Sequence, residues 1–298
     1  MIREFAIEPG ALESDRLYDW VLDNTGIDTG QYISELPSTW VKQIYELRGH
    51  NRGTERLIEE LRSKKSIVRF RKGFDWDSQA NWQTNAQRLH TKKAFDVIIQ
   101  LGKIEDHKEI MTPDDLRSRR DELTGTQFKE VDRTAEAMAS YLESLAIVSE
   151  KLEFCAPYLT LQPNGLKFLK EIFNRCKGSK KKDVRINTRL TDTSDSHIET
   201  QVETFRKILS PLLRNSDFAE SIRVIFWSEH KSGERFHDRW FLTDIGGYNI
   251  GSGFDEVPGD KNRIRRVDRD EFENVSSTFN ETGNTYIKLR QFSISEDR

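Results

Sequence analysis

His237 and Arg239 stand two residues apart in the segment Phe236-His-Asp-Arg-Trp-Phe-Leu-Thr-Asp244. On a strand both side chains leave the same face, with Cα atoms roughly 6.5–7 Å apart. An imidazole beside a guanidinium suits a phosphodiester. The histidine can attack phosphorus or move a proton, while the arginine forks onto two phosphate oxygens. Asp244 lies an odd number of residues from both, so strict alternation sends it to the opposite face. It reaches the histidine only if the strand bends or if it acts from the strand's end.

The elements around this segment read as an α/β domain. Leu152 to Tyr158 is strand-like, and a helix follows with Leu166, Leu169, Ile172, Phe173 and Cys176 turned inward. Val184 to Thr188 alternates as a half-buried strand does. Ser196 with Glu199 reads as a capping box, opening a helix that carries Ile198, Val202, Phe205, Ile208 and Leu212 on one stripe. Ile222 to Trp227 is a strong strand. Phe236–Asp244 and Tyr248–Ser252 then pair through Gly246-Gly247, a hairpin dipeptide. The order β-α-β-α-β and then a hairpin implies a sheet covered by helices.

With those residues in place, the chain resembles the phospholipase D superfamily, whose motif is His-x-Lys, four residues, then Asp. Here it stands as His237-Asp-Arg239, four residues, Asp244, followed by Gly251-Ser252. The resemblance implies that His237 is nucleophile or acid/base, that Arg239 clamps phosphate in the lysine's place and that Asp244 orients the histidine. It further implies that Ser252 is an auxiliary phosphate contact, that no metal or cofactor is needed, and that two copies pair to bring two histidines together. Phe254 occupies the place of the family's usual asparagine. The segment also resembles the phospholipase-D-like C-terminal domain of MIT-domain proteins, through His237-Asp-Arg239 and Ile250-Gly-Ser-Gly-Phe-Asp255. That domain implies a dimeric phosphate and phosphoinositide binder. Both resemblances cover roughly residues 145–260.

The first half reads as helices. Leu17, Trp20 and Val21 recur at helical spacing, as do Trp40, Val41, Ile44, Tyr45 and Leu47 after a Pro37-Ser-Thr entry. Thr54–Leu61 and Trp82–Ile99 continue the pattern. Residues 102–126 are polar and read as a linker. Phe128, Val131, Ala135, Met138, Leu142, Leu145 and Val148 mark one long helix. The expected organisation is a mainly α-helical N-terminal domain over residues 1–126, a possible protein-partner module. A phospholipase-D-like α/β domain with a mixed sheet flanked by helices follows over 127–298.

Other candidates have plainer readings. His90-Thr-Lys92 before Asp96 imitates the motif one residue short, but on a helix His90 and Lys92 cannot share a face. His230 reads as a solvated loop residue, with lining of the pocket mouth as the alternative, and His197 neighbours a helix cap. Arg263, Arg265, Arg266 and Arg269 are interrupted by acidic residues and read as a solvated face; beside His237 they could track a nucleic-acid backbone. The run Lys177–Lys182 reads as a solvated loop. Trp20, Trp40, Trp76 and Trp82 read as core, and Cys176 as a buried thiol.

Composition narrows the class. Lys and Arg total 47 against 50 Asp and Glu, so any electrostatic footprint for a polyanion is local. Two cysteines, Cys155 and Cys176, are too few for a disulfide framework or a metal knuckle. The opening residues lack an apolar signal region, and no apolar run reaches the length of a membrane span. The expectation is a cytoplasmic, metal-independent phosphodiesterase, a nuclease above all, acting through His237 at a site shared across a homodimer. The alternative is a noncatalytic module binding phosphate, phosphoinositide or nucleic acid.

Overall fold

Short parallel strands, five of them, organise the first unit of the chain. In the computed structural model, residues 3–25, 31–63, 68–70, 75–102, 107–119, 128–159, 163–179, 181–214, 218–231, 233–280 and 285–295 are described. They divide into two compact units, Met1–Thr126 and Gln127–Arg298. In the first, β1 (Arg3–Ile7), β2 (Gln31–Glu35), β3 (Val68–Phe70), β4 (Val97–Ile99) and β5 (Ile110–Met111) lie in the order β3-β2-β1-β4-β5. Every pairing is parallel. The helices are α1 (Asp15–Asn24), α2 (Trp40–Arg48), α3 (Arg52–Ser63), α4 (Trp82–Lys92) and α5 (Asp115–Ser118).

The expected mainly α-helical first half is therefore corrected to α/β. Both faces of the sheet are covered: Phe5, Ile7, Ile33 and Val97 belong to one apolar cluster, Ala6, Ile98 and Ile110 to another. Strands buried on both faces are continuously apolar instead of alternating, and three-residue runs such as Val97-Ile98-Ile99 are absorbed into neighbouring helical patterns. The expected helix over Trp82–Ile99 thus ends at Lys92 and gives way to β4. The polar stretch 102–126, read as a linker, carries buried Ile110 and Met111 as β5 and then α5; residues 103–106 and 120–126 lie outside the described residues. Trp20, Trp40, Trp76 and Trp82 all pack into the two clusters.

The second unit holds β6 (Phe128–Asp132), β7 (Lys151–Ala156), β8 (Lys182–Arg189), β9 (Ala219–Glu229), β10 (Trp240–Thr243), β11 (Gly247–Ile250), β12 (Lys261–Arg266) and β13 (Tyr286–Ser295). They form one mixed sheet in the order β13-β9-β8-β7-β10-β11-β12-β6. The pairs β7–β8 and β8–β9 are parallel and the others antiparallel. The helices are α6 (Ala135–Val148), α7 (Pro163–Arg175), α8 (Asp195–Arg214) and α9 (Arg269–Thr278).

Phe128 and Val131, read as the start of a long helix, belong instead to the edge strand β6. Thr134 then caps α6, its hydroxyl oxygen accepting from the Ala137 amide at 3.2 Å. Since α8 starts at Asp195, Ser196 lies inside its first turn and not at the cap. Lys182, read as part of a solvated loop, is buried at the start of β8; its ammonium donates to the Ile147 carbonyl at 2.6 Å and to that of Ser149, at the carbonyl end of α6.

One face of the central strands is an aromatic core. Phe154 packs against Phe168 and Phe173 of α7, Phe241 of β10 and Phe254, with ring centroids 5.3–6.2 Å apart. The other face carries Cys155, Ile225, Trp227, Trp240 and Leu242 against Val275 of α9, Phe279 and Tyr286.

Candidate functional site

The chain lays β8 and β9 on one side of β7, then returns to place β10 on the other. Such a reversal opens a crevice beyond the carboxyl ends of the parallel strands. Because β10 runs antiparallel to β7, its amino end lies at that same edge, with Trp240 opposite Cys155. His237 and Arg239 sit in the extended segment just before β10, not on the strand as expected.

His237 is exposed, with 71% of its side chain accessible, and its Nδ1 lies 2.9 Å from Oδ1 of Asp238. Arg239 is half-buried. Its side chain runs across Gly253, whose φ of +99° requires glycine. Among the described residues no carboxylate pairs with the Arg239 guanidinium, whereas Arg133 meets Asp260, Arg189 meets Glu229 and Arg265 meets Glu271.

Ser252 is fixed by its backbone. Its amide donates to Asn262 Oδ1 at 2.9 Å, and its carbonyl accepts from Arg133 Nη2 at 2.8 Å. Trp240 pairs with Asn249, and the Ile250 amide donates to the Arg239 carbonyl at 2.8 Å. Ser252 follows β11 in a turn closed by the Gly253 amide on the Ile250 carbonyl at 2.8 Å. His237, Arg239 and Ser252 therefore lie towards the same end of the β10–β11 hairpin.

Asp244 does not join them. It follows β10 at the far end, where Thr243 opposes Leu152. Its Oδ1 accepts from the amides of Glu150 at 2.8 Å and Lys151 at 3.2 Å. Seven residues of extended chain put it roughly 20 Å from His237. The expected role of Asp244 in orienting the histidine is corrected: Asp238 makes that contact, and Asp244 holds the amino end of β7. Adjacency in sequence allows the Asp238 contact because a loop, unlike a strand, does not force neighbouring side chains apart.

Residues that sequence reasoning missed tie the His237 segment to the parallel strands. Glu229, at the end of β9, accepts from the Phe236 amide at 2.9 Å and from Arg189 at the end of β8. Partial burial works against the Glu229 carboxylate, but Arg189 and the Phe236 amide outweigh it and hold its pKa below the usual range. Arg189 also donates to the hydroxyl of Tyr158, just beyond β7, and its guanidinium lies 4.7 Å from that ring's centroid. The available signal was positional: each follows an apolar strand at its carboxyl end.

The other sequence candidates lie elsewhere or are occupied. His90 and Lys92 are on α4 in the first unit, and His90 Nδ1 accepts from the Phe95 amide at 3.1 Å. Asp96 accepts from the Glu4 amide at 2.7 Å, and burial raises its pKa. His197 lies 3.8 Å from Asp192 at the start of α8. His230 is exposed in the loop after β9. Of the basic stretch, Arg263 lies over the Phe128 ring at 3.9 Å, and both terminal nitrogens of Arg265 engage Glu271 at 2.5 and 2.6 Å. Cys155 and Cys176 are buried and not joined in a disulfide, and burial pushes the Cys155 pKa well up. Among the described residues no three His, Cys, Asp or Glu side chains form a metal-ligand group, and no helix is long and apolar enough to cross a membrane. No family model matches the chain, and no curated protein matches it either.

Proposed function

We propose that the Gln127–Arg298 unit binds a phosphodiester or phosphate monoester at the corner formed by His237, Arg239 and Ser252. The observation that carries this reading is Arg239. A half-buried guanidinium without a carboxylate partner among the described residues lies two residues from an exposed imidazole, whereas Arg133, Arg189 and Arg265 of the same unit each meet a carboxylate. A planar fork of donors in that state matches phosphate oxygens. The phospholipase-D-like resemblance of the same residues agrees with it.

Hydrolysis is the second reading, and one contact favours it. Asp238 against Nδ1 of His237 leaves Nε2 available, an arrangement in which a carboxylate orients a nucleophilic imidazole. The leaving oxygen would take its proton from a second group, which a second copy's histidine supplies in the two-copy arrangement that the resemblance implies.

Titration of the full chain with oligonucleotides and with inorganic polyphosphate in EDTA tests the binding. Arg239→Ala is expected to weaken both about tenfold or more, as loss of a charge-assisted bidentate contact does. Unchanged affinity in that variant would remove the reading. The hydrolytic reading predicts release of nitrophenol from a nitrophenyl phosphodiester under the same conditions, lost in His237→Ala. Intact substrate after prolonged incubation leaves binding alone.

A further inference from the structure

Tyr158 is a large aromatic side chain that the structure leaves 57% exposed, although its ring already lies against the Arg189 guanidinium. It is also fastened. Arg189 donates to its hydroxyl and at the same time to Glu229, and Glu229 accepts from the Phe236 amide. Three successive contacts therefore connect the ring to the residue beside His237. The β7–β10 register, continued past Cys155 and Trp240, brings Tyr158 and His237 to the same edge.

Resting on the phosphate reading above, we infer that the ligand carries a base, and that Tyr158 is the platform on which it stacks. The occupant is a single-stranded nucleic acid, one of whose phosphates reaches Arg239. A π-face held in place by a cation behind it matches a nucleobase, which stacks through its own π-face whatever its identity. A bare phosphate chain gains nothing from such a ring. A duplex keeps its bases paired and out of reach, so single strands are preferred.

Fluorescence anisotropy on the full chain in EDTA decides it, with labelled oligothymidylate and an abasic deoxyribose-phosphate strand of the same length and charge. Wild type is expected to bind the thymidylate about 5- to 100-fold more tightly than the abasic strand. Tyr158→Ala should erase that difference, while Tyr158→Trp keeps it. Arg239→Ala should weaken both strands alike.

If Tyr158→Ala holds thymidylate as wild type does while Arg239→Ala loses it, the platform is wrong and the phosphate corner stands. If Arg239→Ala changes neither strand, the phosphate corner falls and the platform with it. Binding to phosphatidic acid vesicles with none to either strand also overturns the inference.

Discussion

Replacing Asp244 by alanine separates the role that the motif suggests from the one that the fold gives it. In the fold, Asp244 Oδ1 accepts two amides, from Glu150 and Lys151, where β7 begins. A hydrogen bond to a charged acceptor contributes about 1.5–3 kcal/mol when sheltered. Asp244 is exposed, so water takes over much of that interaction in the variant, and Asp244→Ala should cost about 1–2 kcal/mol. For a unit of this size the melting temperature then falls by about 2–8 °C, at roughly 2–4 °C per kcal/mol. Asp244→Asn keeps an acceptor oxygen without its charge and should fall between.

The assay is a pair of measurements on each variant: thermal unfolding by circular dichroism, and affinity for the phosphate ligand. Asp244 stands roughly 20 Å from His237, so affinity should match wild type below the melting transition. A variant with an unchanged melting temperature and no ligand binding would refute the placement of Asp244 and restore it to the site.

Other outcomes follow from the same geometry. Gly251→Ala places a Cβ 2.8 Å from the Arg263 carbonyl oxygen, a backbone atom that cannot swing aside; unfolding should show a loss of about 1–3 kcal/mol. Because Ser252 comes next, that variant should also bind the phosphate ligand less tightly. Burial pushes the Tyr141 phenol up to about 12 against an opposing pull from Arg266, while the unfolded chain titrates it near 10. Its contribution to stability is present below about pH 10 and lost as pH rises toward 12. Ultraviolet titration reads the midpoint, and Tyr141→Phe should flatten the fall in melting temperature over that range.

What the sequence determined is local. Apolar runs bounded by turn signals, together with helical spacing, marked β7, β8, β9, the hairpin and their intervening helices, because strands and helices of that length write their burial into the chain. The five-stranded parallel sheet of the first unit was not legible, since strands buried on both faces lose their period and run only two to five residues. Nor were β6, β12 and β13, edge or near-edge strands of mixed polarity whose identity depends on the neighbour they pair with. At the site, only the tertiary structure could exchange Asp244 for Asp238 and bring Glu229, Arg189 and Tyr158 to the same edge. Their common feature is a position at the carboxyl end of a parallel strand, which becomes an address only once β7, β8, β9 and β10 lie side by side.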